Sequence, residues 1–245
     1  MQIKTVAESI ESKGIKVAVA GFAGSGKTTL LATMPGKGLV ASAEAGLLSL
    51  ANITHAGEIS VVEVTTIAQL REVYQHLKQP GHGYDWVALD SVSEIAEVVL
   101  TSEKAKTADP RKAYGALSDE MGTVLRAFRD LPGLDVYFSV KASRVRDEAT
   151  GRVTCEMSFP GQKVGAAVPY LFDEVFHLVV QEDRETGAVT RWLQTRSDSV
   201  RDCKDRSGKL DPFEPADLGA VFRKIRAPRV TTELAPLVAT ETEAA

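Results

Sequence analysis

Gly21-Phe22-Ala23-Gly24-Ser25-Gly26-Lys27-Thr28 sets glycines, a lysine and a hydroxyl at the spacing G-x-x-x-x-G-K-[ST]. Glycines let consecutive backbone N–H groups turn inward without Cβ clashes, and such a nest suits phosphate oxygens. Gly21, Ala23, Gly24, Ser25 and Gly26 would line it. Lys27 would neutralise the β- and γ-phosphates, Thr28 would ligate magnesium, and Thr29 would continue the helix whose positive end faces the anion. The competing reading is a strand–turn–helix that merely tolerates glycine. A β-branched run, Ile15 to Ala20, precedes the motif and a helical run follows it, which is the context the phosphate reading requires.

A second magnesium partner is expected at Asp90, which ends the apolar strand Trp86-Val87-Ala88-Leu89. Ligands of α/β folds bind at the carboxyl ends of the strands. Asp90-Ser91 also suits a helix N-cap, and the two roles are compatible. No Asn-Lys-x-Asp guanine-reading sequence is present, so ATP is expected rather than GTP.

The elements that must position these groups are legible from apolar periodicity. Strands are predicted at 15–20, 38–43, 59–64, 86–90 and 134–140. Helices are predicted at 27–33, 67–77, 93–100, 121–128 and 215–225. Hairpins are expected over 144–159, turning at Thr150-Gly151, and over 175–195, turning near Thr186-Gly187. Strands alternating with helices imply an α/β domain with a mainly parallel sheet flanked by helices and C-terminal β-hairpins. One domain over residues 1–225 is expected, followed over 226–245 by a disordered acidic tail with Glu233, Glu241 and Glu243.

The chain has 245 residues, 44% hydrophobic and 25% charged, with a formal charge of −4. That is ordinary for a globular protein, and it excludes a chain that coats nucleic acid with positive charge throughout. Cys155 and Cys203 lack metal-ligand spacing. With no signal peptide and no membrane-spanning apolar run, the reading is cytoplasmic with reduced thiols.

The P-loop, Ala43-Glu44-Ala45-Gly46-Leu47 and Leu89-Asp90-Ser91-Val92 together resemble the RecA superfamily. More narrowly, Ala113-Tyr114-Gly115, Pro169-Tyr170-Leu171-Phe172-Asp173 and Lys204-Asp205-Arg206-Ser207-Gly208 resemble the phage core-only RecA-like ATPases of the Sak type, fourth group, which anneal single strands. The resemblance spans about Gly14 to Ile225. It implies a RecA-like P-loop NTPase core, an ATPase with Glu44 polarising the attacking water, and a homo-oligomer, ring or filament. Within it, Lys204 and Arg206 would reach the nucleotide of the next subunit. It also implies single-stranded DNA as partner, with a single-strand-binding protein as a possible second. One departure stands out: Lys141 occupies the place where the superfamily often has a γ-phosphate-sensing amide.

Two stretches expected to be DNA-facing loops carry modest positive charge. Residues 101–117 hold Lys104, Lys106, Arg111 and Lys112 against two acids. Residues 141–164 hold Lys141, Arg144, Arg146, Arg152 and Lys163 against three. Such loops suit backbone contact without base reading, and Tyr114 and Phe159 are candidates to stack bases. The same charges also suit ordinary solvated loops. Two other functions stay open: a nucleotide-switched loader or adaptor acting on a protein partner, and a small-molecule phosphotransferase.

Overall fold

The computed structural model describes residues 14–44, 46–51 and 53–228. Residue 45 and the acidic tail from Thr231 onward lie outside them.

Its described strands form one mixed sheet in the order β10-β8-β7-β1-β5-β4-β2-β3, with β6 paired to β5 and β9 to β7. They are β1 (Lys16–Gly21), β2 (Gly38–Ser42), β3 (Ile59–Glu63), β4 (Trp86–Asp90), β5 (Asp135–Arg146), β6 (Val153–Met157), β7 (Glu174–Glu182), β8 (Val189–Gln194), β9 (Lys204–Asp205) and β10 (Phe213–Pro215). From β7 to β3 neighbours pair in parallel; β6, β8, β9 and β10 join antiparallel. Strand β5 is inserted between the P-loop strand β1 and the Asp90 strand β4.

The central strands β1, β2 and β4 are buried along their whole length, as strands covered on both faces must be. Alternate residues feed two cores. Ala18, Leu39, Ala41, Val87, Leu89, Val136 and Phe138 pack on one side with α2 (Ile67–Lys78), α3 (Val92–Lys106), α4 (Pro110–Arg129) and α5 (Gln162–Leu171). Val17, Val19, Val40, Trp86, Ala88 and Tyr137 pack on the other with α1 (Lys27–Leu30) and α6 (Leu218–Arg226).

Local chemistry starts these helices where the tertiary fold needs them. Thr66 and Gln69 form a reciprocal capping box before α2. Ser91 caps α3, and Asp109 with Pro110 opens α4. Buried Asp135 ties α6 to the start of β1: it accepts from the Ile15 N–H at 2.7 Å and from Arg226 at 2.5 Å.

Two expectations need correction. Residues 101–117 are not a loop; α3 runs to Lys106 and α4 begins at Pro110. Lys104 and Lys106 occupy the last turn of α3, where cations offset the helix dipole. Residues 141–164 likewise hold the end of β5, all of β6 and the start of α5. Phe159 is half-buried and packs against the core.

Candidate functional site

The turn between β1 and α1 is built as the glycine spacing requires. Gly24 and Gly26 adopt φ of 72° and 102°, values that disfavour any residue with a Cβ. The Lys27 ammonium lies folded over the loop, donating to the Gly21 and Phe22 carbonyls at 3.0 and 3.2 Å. Burial lowers its pKa, and the Glu44 and Asp90 carboxylates oppose that shift.

Thr28 Oγ1 donates to Asp90 Oδ2 at 2.7 Å. The hydroxyl and carboxylate that the sequence reading paired, 62 residues apart, are therefore in contact. Asp90 is 2% exposed, and its other oxygen accepts from the buried Ser139 hydroxyl. This hard-oxygen donor set suits magnesium.

Glu44 follows the end of β2 one strand away. Its Oε1 accepts from the Ser91 hydroxyl at 2.5 Å and lies 3.4 Å from Lys141 Nζ. Lys141 also donates to Glu94 Oε2 in the first turn of α3. Burial pulls the Lys141 ammonium down, but the hydrogen bonds and charges of Glu94 and Glu44 outweigh it and raise its pKa.

Three polar groups of this site share one face of β5. Tyr137 donates to the Lys27 carbonyl at 3.0 Å, Ser139 serves Asp90, and Lys141 serves the two glutamates. Burial, then the Asp90 charge, raises the Tyr137 pKa well above its usual value, so it stays a neutral donor. A period-two polar stripe among Val136, Phe138 and Val140 was the available sequence signal for Ser139 and Tyr137.

Arg191 of β8 was equally unforeseen. Its Nε donates to the Ser25 carbonyl at 3.0 Å. It is exposed and stands two residues from the buried Leu193, on the same face of the strand.

Lys204 and Arg206 come together, but away from this nest. Lys204 pairs with Val175, which stands beside Ala18, three residues before the end of β1, about 10 Å along the strand. Lys204 donates to the Pro169 carbonyl at 2.6 Å and Arg206 to Asp173 at 2.6 Å. Burial and the neighbouring Arg206 lower the Lys204 pKa. Lys204 shares a cavity of about 330 Å³ with exposed Arg196 and with Cys203. Arg206 does not line it. Burial pushes the Cys203 thiol up to about 12, so it is no nucleophile.

Of the DNA-facing candidates, Lys141 lies in the nucleotide site. Arg144 stacks on Phe22 of the P-loop, 4.8 Å from the ring centre, and Arg152 donates to the Ser199 carbonyl. Lys106 pairs with Glu103, and Lys104 sits over the Tyr114 ring. Arg111, Lys112, Arg146 and Lys163 are exposed. Among the described residues, no helix is long and apolar enough to cross a membrane.

Comparison with protein families matches residues 13–207 to the AAA domain. No curated protein matches the chain. Among solved structures, the crystal structure of a KaiC-like protein from the hyperthermophilic archaeon Pyrococcus horikoshii OT3 is similar, with a TM-score of 0.46 and 15% identity. The match covers 79% of this chain and 82% of that one. The family match takes in the P-loop, Glu44, Asp90 and Lys204; the chain belongs to the AAA domain family and is a P-loop ATPase.

Proposed function

We propose that this ATPase acts on single-stranded DNA as a homo-oligomer, coupling ATP hydrolysis to strand annealing or exchange. The observation that carries the reading is the continuity of β5. One strand holds Ser139 and Lys141 at the nucleotide edge and then runs on, paired with β6, into an exposed hairpin bearing Arg146. Arg144 at the base of that hairpin stacks on the P-loop itself. A change at the phosphates thus has a short, rigid path to a basic surface.

In the hydrolytic step, the P-loop holds the triphosphate and Glu44 takes a proton from the attacking water. The new bond forms at the γ-phosphorus, the bond to the β–γ bridging oxygen breaks, and ADP leaves. The Ser91 hydroxyl fixes the carboxylate's orientation. Magnesium bound at Thr28 and Asp90 would neutralise phosphate charge. Lys141, held by two carboxylates, is placed to give up one of them when phosphate arrives, which frees Glu44. In an oligomer, Lys204 and Arg196 would serve the neighbour's nucleotide, since both face the same cavity.

Phosphate release with and without single-stranded DNA tests the reading. Stimulation is expected, and Arg146→Glu combined with Lys163→Glu should reduce it. Stimulation by a protein partner alone would favour the loader reading, and phosphate on a small acceptor the phosphotransferase.

A further inference from the structure

We propose that Arg191 is a positioning residue for the nucleotide: it holds the crest of the P-loop open and adds a second fixed cation behind it. This deepens the nucleotide reading and rests on it. The guanidinium Nε donates to the Ser25 carbonyl at 3.0 Å. A Cβ placed on Gly26 would lie 3.2 Å from the same nitrogen and 3.4 Å from Arg191 Cδ, so the side chain lies directly against the turn.

The geometry has a chemical consequence. An anion nest works only while its carbonyls point away from the bound phosphate. Ser25 is 3% exposed, which leaves its carbonyl little access to water, and the Arg191 bond keeps that oxygen turned outward. The strand that carries Arg191 is itself held on both sides. Arg191 pairs with Val180 of β7, its neighbour Trp192 pairs with Pro215 of β10, and its carbonyl accepts from Ala216.

Charge points the same way. Among the described residues no carboxylate forms an ion pair with Arg191. A guanidinium hydrogen-bonded against a phosphate nest and outside those ion pairs favours an anionic ligand there. Lys27, by contrast, has Glu44 and Asp90 within electrostatic reach.

The test is equilibrium binding of Mg-ATP to the full chain by calorimetry, with steady-state phosphate release, for Arg191→Gln, Arg191→Lys and Lys27→Ala. For Arg191→Gln the expected result is a roughly tenfold higher Kd and KM, with kcat at saturating ATP within about twofold. Arg191→Lys, which keeps the charge but not the fork, should recover part of the affinity. An unchanged Kd in Arg191→Gln would overturn the inference, and so would loss confined to kcat. Lys27→Ala separates the two claims: if it abolishes binding while Arg191→Gln binds normally, only the Arg191 role fails. If Lys27→Ala also binds normally, the nucleotide reading itself fails. Should Arg191→Gln not fold, the Lys variant decides, since an unaltered Kd there, at double the ionic strength as well, contradicts a positional and electrostatic role.

Discussion

Replacing Glu44 by glutamine separates catalysis from stability by a margin that can be worked out from the structure. The amide is nearly isosteric, and its oxygen can still accept the 2.5 Å bond from Ser91. What it loses is charge and basicity. The charge faces Lys141 at 3.4 Å, and at an effective dielectric of 20 the bare attraction is about 5 kcal/mol. Both partners are partly solvated, at 45% and 33% side-chain exposure, and Lys141 keeps its bond to Glu94. Exposed pairs of this kind contribute about 0–1 kcal/mol, so the variant should unfold within that range of the parent. The lost basicity is a different matter. A general base contributes about 10²–10⁴-fold to rate, equivalent to about 3–5 kcal/mol. Phosphate release should therefore fall by at least two orders of magnitude while Mg-ATP binding persists. The assay is single-turnover hydrolysis beside calorimetric binding and thermal unfolding. Turnover within threefold of the parent would remove Glu44 from the mechanism. A collapse in stability matching the loss of rate would show that the carboxylate serves the fold.

The finger assignment predicts complementation: Lys204→Ala and Glu44→Gln subunits, each inactive alone, should regain activity when mixed, because some interfaces pair an intact base with an intact lysine. Gel filtration must show mixed oligomers, and no recovery in them would refute action across the interface. Arg206→Ala should cost less activity than Arg196→Ala, because only Arg196 lines the cavity with Lys204; the reverse order in phosphate release would refute that choice. Below the finger segment, burial and the adjacent Asp205 raise the Glu174 carboxyl to about 8. The folded state then holds a proton between pH 4.5 and about 8 that the unfolded chain has released, so Glu174 makes stability fall as pH rises through that window. Burial keeps His177 neutral down to about 4, which makes its contribution rise between pH 4 and 6.5 and offsets Glu174 there. The net decline should appear from pH 6.5 to 8, at up to about 1.4 kcal/mol per pH unit, and Glu174→Gln should abolish it. Thermal midpoints at the two pH values check this; an identical decline in the variant would refute it.

What the sequence disclosed and what it hid divide along one physical line. Groups carried by a contiguous motif, or standing at the end of an apolar run, were legible: Gly21 to Thr28, and Asp90 after Trp86 to Leu89. There local spacing and the fold impose the same arrangement. Tyr137, Ser139 and Arg191 were hidden because they lie in strands read for their apolar residues. Their meaning comes from neighbours far along the chain: Ser139 from Asp90, Arg191 from Ser25. The charged stretch 101–117 misled for the opposite reason. Lys104 and Lys106 were counted as free charge for a ligand, yet both close α3 and Lys104 covers Tyr114, tasks that local helix physics supplies without any partner. Three other basic groups of the DNA-facing proposal are carried on a strand rather than at a helix end. Lys141, Arg144 and Arg146 rise along β5 from Glu44 to the P-loop phenylalanine to solvent. If DNA engages this ATPase, that ladder is where nucleotide state and strand contact meet. Phe22→Ala, which removes the ring under Arg144, should then weaken DNA stimulation of hydrolysis more than it weakens ATP binding. Equal losses in both would mean that the ring merely supports the P-loop.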